Sequence, residues 1–201
     1  MALLATSLPA RTPSAPAMAV DVPPAASAST AVRTTDVLPE LPPPTLAGGR
    51  LRVAALGVDA PIVRLGLSPD LTMEAPDAPG DTGWYAFSAL PGEPGLVVVA
   101  GHLDRRGEPG AFARLAEARA GDIVAIDYAG RTYAYAVRSL RAVPVDDRAA
   151  LAAIAGAGSG DALVLITCTG PFDAVRGRYS ERLLVVATPL DAPPASALRV
   201  E

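Results

Sequence analysis

The sequence contains one cysteine, Cys168, and one histidine, His102. A cysteine thiol becomes a strong nucleophile when it is ionised, and a nearby imidazole or guanidinium favours the thiolate. An imidazolium can then protonate a departing amine, while a cation or an N–H donor stabilises the oxyanion that forms on an attacked carbonyl. Cys168, His102 and an arginine could therefore carry out acyl transfer together.

Each of these reactive residues adjoins an apolar run that is typical of a buried strand. The runs are residues 162–170 (ALVLITCTG), which contain the cysteine, residues 96–102 (LVVVAGH), which end on the histidine, and residues 182–188 (RLLVVAT), which begin with an arginine. The ends of strands in a rigid sheet can hold side chains at a surface cleft. Thr167 and Thr169 make the run polar at Cys168, as expected at the rim of a cleft. The alternative is that Cys168 is an inert buried side chain and that His102 is structural.

The elements around these runs indicate a mainly β domain. Further short strands are predicted, bounded by Gly- and Pro-rich turns, at residues 51–56, 60–65, 71–74, 123–126 and 132–137. Two short helices are predicted, at residues 111–119 and 146–154. Because the strands do not alternate with long helices, the architecture is a barrel or a sandwich and not a doubly wound sheet.

The length and composition indicate one domain with flanking extensions. Residues 1–48 contain nine prolines and eleven alanines without a hydrophobic period, which predicts a disordered linker. We expect the catalytic domain at residues 49–190, followed by a flexible tail at residues 191–201. The N-terminus lacks the charged region of a signal peptide, and the chain has no apolar run of about 18 residues. Either a membrane anchor is missing upstream, which is the favoured interpretation, or export is not encoded in this chain.

Charge and residue counts exclude several classes of function. The net charge of −4 gives no sign of a nucleic-acid-binding surface. The single cysteine excludes an intramolecular disulfide. A zinc site would need carboxylates for its remaining ligands, so we expect no metal and no cofactor.

Several motifs occur in an order that resembles one protein family. Residues 165–168 (LITC), followed after thirteen intervening residues by Arg182 and an apolar strand, resemble the Cys and Arg signature of sortases. Residues 97–104 (VVVAGHLD) resemble the histidine motif of the same family. The segments that resemble class F sortases of actinobacteria, in the same order, are residues 81–85, 91–95, 112–115 and 121–123. The resemblance covers roughly residues 50–190.

This resemblance implies a closed eight-stranded β-barrel with two or so short helices and the activity of a cysteine transpeptidase. Such an enzyme cuts an exported protein at an LPxTG-like sorting signal and passes the thioacyl intermediate to an amine of the cell wall or of a protein. By resemblance Cys168 is the nucleophile, His102 is the general acid and base, and Arg182 supports the oxyanion or positions substrate. Thr167 would bind substrate or assist at the oxyanion. The implied protein is a monomer outside the cytoplasm, at the surface of the cell membrane or wall.

Two questions remain open at the level of sequence. Class F sequences often carry the arginine two residues earlier, where this chain has Ser180, and Arg176 and Arg178 lie nearby. The other function classes are a non-catalytic β-barrel binding module and another Cys/His acyl-transfer enzyme, such as a hydrolase or an L,D-transpeptidase. The last of these would place its histidine and cysteine within one short Gly/Ser-rich motif, which this chain lacks.

Overall fold

The described residues form ten β-strands and two short 3-10 helices. The computed structural model describes residues 45–70, 72–147, 149 and 160–191. The strands are β1 (Arg50–Val53), β2 (Val58–Leu65), β3 (Thr82–Tyr85), β4 (Leu96–Gly101), β5 (Asp104–Arg105), β6 (Glu108–Pro109), β7 (Ile123–Tyr128), β8 (Arg131–Pro144), β9 (Ala162–Asp173) and β10 (Arg178–Pro189). The 3-10 helices are Ala54–Leu56 and Leu115–Glu117.

Eight of these strands form a closed barrel in the order β1-β2-β3-β4-β9-β10-β8-β7, and β7 pairs with β1 to close it. The pairs β2/β3 and β4/β9 are parallel, and the other pairs of the barrel are antiparallel. Strands β5 and β6 form a separate two-stranded hairpin after β4. The prediction of a mainly β fold with a closed eight-stranded barrel is confirmed.

Apolar side chains fill the interior and also cover part of the outside. On β9, Leu163 and Leu165 belong to the main core, which fills a barrel of this size with side chains. The alternate residue Val164 packs in a separate buried cluster with Val143 and Leu184. Strands that are buried on both faces read as continuous apolar runs, which is why residues 162–170 do not alternate in polarity.

A charged pair supports the closure between β1 and β7. Arg52 donates two hydrogen bonds to the Asp127 carboxylate, at 2.9 and 3.0 Å, and the Thr132 hydroxyl donates a third at 2.6 Å. Burial alone would raise the pKa of Asp127, but these hydrogen bonds outweigh it and lower the pKa below its ordinary value.

The helix predicted for residues 111–119 is wrong. Only the 3-10 helix at Leu115–Glu117 forms in this segment. The Ala111 N–H donates to the Pro79 carbonyl and the Phe112 N–H to the His102 carbonyl, so neighbouring segments hold the backbone before a longer helix can begin. The helix predicted for residues 146–154 lies largely outside the described residues. The strand predicted for residues 71–74 is reduced to one isolated bridge between Leu67 and Met73.

The last hairpin is longer than predicted. Strand β10 begins at Arg178 and not at Arg182, because the pairing with β9 continues as far as Arg178 opposite Asp173. Arg182 therefore lies inside a strand, with paired neighbours on both sides, and its backbone is fixed by the sheet.

Candidate active site

Cys168 and Arg182 lie directly opposite each other on β9 and β10. Their Cα atoms are register partners in the antiparallel pair. Residues that face each other in this way project to the same side of the sheet, with Cβ atoms about 5 Å apart. The guanidinium-bearing side chain therefore starts beside the thiol.

His102 lies on the other side of Cys168, at the end of β4. Strands β4 and β9 run parallel, and Ala100 pairs with Ile166. His102 comes two residues after Ala100, and Cys168 comes two residues after Ile166. Alternation along a strand therefore directs both side chains to the same side of the sheet as the Ala100 and Ile166 side chains. Strand β9 lies between β4 and β10, so Cys168 on β9 has its register partner Arg182 of β10 on one side and, on the other, the end of β4, which His102 directly follows.

Thr167 projects to the other face of β9. Its neighbours on that face are Leu163 and Leu165, which belong to the main core, and the Thr167 residue is only 3% exposed. In the described part of the protein its Oγ1 has no hydrogen-bond partner. The hydroxyl therefore does not share the surface of the Cys168 thiol, and only the backbone of Thr167 borders the site.

The His102 ring is held by a loop that the sequence did not single out. Its Nε2 lies 2.8 Å from the carbonyl oxygen of Pro76. A carbonyl oxygen only accepts, so Nε2 carries a proton and Nδ1 is the basic nitrogen of the neutral ring. Arg105 also donates to the Pro76 carbonyl, at 3.2 Å, and to the carbonyl of Asp77. The only signal in the sequence was the Pro-rich character of this loop.

A close approach of two backbone segments fixes the position of His102. The Phe112 N–H donates to the His102 carbonyl at 2.9 Å, and the Gly110 N–H donates to the Leu103 carbonyl at 2.9 Å. A Cβ on Gly110 would lie 2.1 Å from the His102 carbonyl oxygen, far inside contact distance. Only glycine allows this approach, so Gly110 is a requirement of the site that its position in a turn motif did not reveal.

Two charges of opposite sign act on the thiol. Burial raises the pKa of Cys168 above its ordinary value; the positive charge of Arg182 opposes this rise, and the negative charge of Asp104 adds to it. The net effect is a raised pKa, which favours the neutral thiol over the thiolate. Formation of the nucleophilic thiolate therefore needs a base beside it.

Two tyrosines that sequence analysis did not assign to the site lie close to it. Tyr85 is buried, and its hydroxyl donates to the Glu74 carbonyl at 2.7 Å. Burial raises the pKa of Tyr85 and the charge of Arg182 opposes the rise, so the guanidinium is within electrostatic reach of this ring. The Tyr179 hydroxyl donates to Asp104 Oδ2 at 2.5 Å. Neither tyrosine carries a signal in a single sequence, because each contact joins distant segments.

The other two candidate arginines are held elsewhere. Arg176 forms an ion pair with Asp173, at 2.8 Å, within the turn between β9 and β10. Arg178 forms one with Asp146, also at 2.8 Å. Neither is the register partner of Cys168, which is Arg182.

The described residues contain neither a metal-binding cluster nor a helix that could span a membrane. No cluster there contains three or more His, Cys, Asp or Glu side chains placed to hold a metal ion. No helix in the same part of the chain has the length and apolar character needed to span a membrane.

Comparison with known proteins gives consistent results. The sequence model of the sortase domain matches residues 51–190. No protein in a curated set matches the sequence significantly. The structure is similar to sortase A from Corynebacterium diphtheriae, a lid mutant, with 25% identity over 74% of this chain and 72% of that one, at a TM-score of 0.55.

Sortases of other classes share the fold. Sortase E1 from Streptomyces coelicolor, solved with a tripeptide in the active site, is 23% identical over 76% of this chain and 96% of that one, at a TM-score of 0.57. Sortase C1 from Streptococcus agalactiae is 22% identical over 72% of this chain and 68% of that one, at a TM-score of 0.54. The family model covers well over half of the sequence, so this chain belongs to the sortase family, whose members are cysteine transpeptidases.

Proposed function

We propose that this protein cleaves an LPxTG-like sorting signal of exported proteins and transfers the cleaved carboxyl group to an amine. Cys168 is the nucleophile, His102 is the general acid and base, and Arg182 stabilises the oxyanion. The observation that carries the proposal is one arrangement: Cys168 on β9 is the register partner of Arg182 on β10, and His102 directly follows the end of the neighbouring strand β4. The only cysteine and the only histidine of the chain both belong to it.

The first half-reaction forms a thioester. Because the pKa of Cys168 is raised, its proton passes to Nδ1 of His102 as the sulfur attacks the scissile carbonyl. The carbon–sulfur bond forms, and the negative charge that develops on the carbonyl oxygen is stabilised by Arg182. The imidazolium then protonates the departing amine, and the carbon–nitrogen bond breaks.

The second half-reaction releases the product. An acceptor amine attacks the thioester, a new carbon–nitrogen bond forms, and the carbon–sulfur bond breaks. One proton of the amine passes to His102 and from there to the departing sulfur, which restores the Cys168 thiol and the neutral imidazole. Water in place of the amine gives hydrolysis. Thr167 contributes to substrate binding through its backbone beside Cys168, since its hydroxyl is buried on the opposite face.

The finer assignment rests on the sequence motifs. Their order supports a class F sortase, with residues 49–190 as the catalytic domain, residues 1–48 as a linker and residues 191–201 as a tail. An enzyme that acts on exported proteins works outside the cytoplasm, so we assign it to the surface of the cell membrane or wall, as a monomer.

Mass spectrometry of the full-length protein tests the chemistry directly. The protein is mixed with a panel of LPxTG-type peptides, with and without hydroxylamine. We expect an acyl adduct on Cys168 that hydroxylamine releases as a hydroxamate, and no adduct on the Cys168→Ala variant. Peptide turnover by Cys168→Ala would refute the mechanism. A folded protein with a free thiol that gives no adduct with any peptide would favour a non-catalytic binding barrel.

Matched arginine variants test the assignment of the oxyanion group. Arg182→Gln should lower the rate of acylation about 10²-fold, the usual effect of losing one oxyanion donor. Arg178→Gln removes the same charge from the same strand. In the wild type the Arg178 guanidinium is paired with Asp146, so this variant should form the acyl-enzyme at nearly the wild-type rate. The reverse order of effects would move the catalytic role to Arg178.

A further inference from the structure

Asp104 borders the candidate site from a position that the mechanism does not use. It follows His102 by two residues, and it is exposed at the start of β5. Its Oδ2 accepts a hydrogen bond of 2.5 Å from the hydroxyl of Tyr179, near the start of β10. Because β9 lies between β4 and β10, this bond joins the two sides of the strand that carries Cys168.

The charge of Asp104 works against the nucleophile. It raises the pKa of the Cys168 thiol, which burial already raises, whereas Arg182 lowers it. A neutral residue at position 104 would therefore favour the thiolate, and would be the better choice if acylation were the only demand on the site.

The Asp104 carboxylate has lone pairs without a hydrogen-bond donor, and these could bind a cation. An ionised carboxylate has about four lone-pair sites, and the Tyr179 hydroxyl occupies one of them. Among the ion pairs of the described residues none involves Asp104. The adjacent Arg105 is turned to the carbonyls of Pro76 and Asp77. Asp104 is thus an exposed anion near the thiol without a cationic partner from these residues.

The two reaction partners of a transpeptidase differ in charge. The acyl donor develops a negative oxygen, which suits Arg182. The acceptor is a primary amine, which at neutral pH is mainly an ammonium ion. We propose that Asp104 binds this ammonium in the second half-reaction and so favours transfer to amines over hydrolysis. The inference rests on the proposed function of the same site.

The step balances without any further reactant. The ammonium held by Asp104 releases one proton to solvent, and its neutral nitrogen attacks the carbonyl carbon of the Cys168 thioester. The carbon–nitrogen bond forms and the carbon–sulfur bond breaks. The second N–H proton passes to His102 and from there to the departing sulfur, which restores the Cys168 thiol and the neutral imidazole. Asp104 holds the nucleophile near the thioester, and it does not itself accept a proton.

Two nucleophiles that differ in charge test this role. Triglycine carries an ammonium group at neutral pH, and hydroxylamine is mainly uncharged. The full-length protein is acylated with a reactive LPxTG-type peptide, and the ratio of transfer product to hydrolysis product is measured against the concentration of each nucleophile. For Asp104→Asn we expect this ratio to fall about five- to tenfold with triglycine, the size expected for one charge-assisted hydrogen bond to an exposed carboxylate.

Hydroxylamine provides the internal control. Asp104→Asn should form the acyl-enzyme and react with hydroxylamine within about twofold of the wild-type rate, which also shows that the variant is folded. Glu108→Gln removes one exposed negative charge from the same β5–β6 hairpin and should leave both ratios unchanged. Tyr179→Phe keeps the carboxylate but removes its hydrogen bond, so transfer to triglycine should fall less than in Asp104→Asn.

Three results would overturn the inference. The first is an unchanged triglycine ratio in Asp104→Asn. The second is an equal loss with hydroxylamine, which would mean that Asp104 supports the structure of the cleft. The third is a Tyr179→Phe variant whose triglycine ratio falls as much as that of Asp104→Asn. This result would assign the effect to the hydrogen bond between Tyr179 and Asp104 and not to the charge of the carboxylate. A wild-type protein that forms no acyl-enzyme would instead refute the proposed function on which the inference rests.

Discussion

Two buried threonines should respond to the same substitution with opposite changes in stability. Thr82 and Thr167 are the buried polar residues of the part that the structure describes, at 0% and 3% exposure. The Thr82 hydroxyl donates to the Pro61 carbonyl at 2.9 Å. The Thr167 hydroxyl has no hydrogen-bond partner among the described residues. The two sites therefore differ in hydrogen bonding and not in burial.

Valine has nearly the shape of threonine without the hydroxyl. A buried polar group that makes no hydrogen bond costs about 1–3 kcal/mol of desolvation. Thr167→Val should therefore raise the free energy of unfolding by about 1 kcal/mol, which corresponds to about 2–4 °C in Tm for a chain of this size. Thr82→Val gives up a made hydrogen bond, and should lower the free energy of unfolding by about 1 kcal/mol.

Urea denaturation of both variants, beside the wild type, measures the two changes. If Thr167→Val loses as much stability as Thr82→Val, the Thr167 hydroxyl has a partner in the folded protein and the reasoning is refuted. The acylation rate of Thr167→Val gives a second result. We expect the wild-type rate, because the hydroxyl faces away from Cys168; a large loss of acylation in a stable variant would assign the hydroxyl to substrate binding.

Three more predictions address the thiol, the backbone at the site and the barrel closure. Arg182→Gln should raise the apparent pKa for alkylation of Cys168 by iodoacetamide, because it removes the charge that opposes the effect of burial; an unchanged pH profile would contradict this. Gly110→Ala should lower the free energy of unfolding by about 3 kcal/mol in thermal denaturation, whereas Gly80→Ala, with open space around it, should have little effect. Asp127→Asn should lose stability at neutral pH. Because the folded-state pKa of Asp127 is lowered, the difference from wild type should vanish as the pH falls through that pKa; a constant difference would refute the assigned ion pair.

Two neighbouring strands of the barrel, β4 and β9, could be predicted from the sequence because they are apolar on both faces. The runs around His102 and Cys168 are continuous in hydrophobicity, and each corresponds to a strand of the barrel. The residue types alone named the reactive groups, since the chain has one cysteine and one histidine. The prediction of a helix over residues 111–119 failed because carbonyls of neighbouring segments accept hydrogen bonds from the backbone N–H groups of Ala111 and Phe112. The spacing of apolar residues along the chain carries no information on such contacts.

The surroundings of the reactive groups could not be predicted, because they come from distant segments. The Pro76 carbonyl that fixes the His102 tautomer lies 26 residues earlier in the chain, and Tyr179 lies 75 residues from Asp104. The side to which the Thr167 side chain points, in contrast, could have been predicted. Its signal was present, because alternation along a strand places residue 167 on the face of Leu163 and Leu165, opposite Cys168.

This alternation explains how the barrel specifies the active site. Parallel pairing of β4 and β9 places the end of β4, which His102 follows, beside the middle of β9, which carries Cys168, although the two residues are far apart in the chain. Which side chain of β9 faces the cleft is then decided by the core. A shift of one residue in the register of β9 would turn Leu163 and Leu165 out of the interior and Cys168 into it. Burial of those two leucines opposes such a shift, at about 1.5–3 kcal/mol for each side chain removed from water. The packing of the interior therefore also keeps Cys168 on the outer face of β9, beside Arg182.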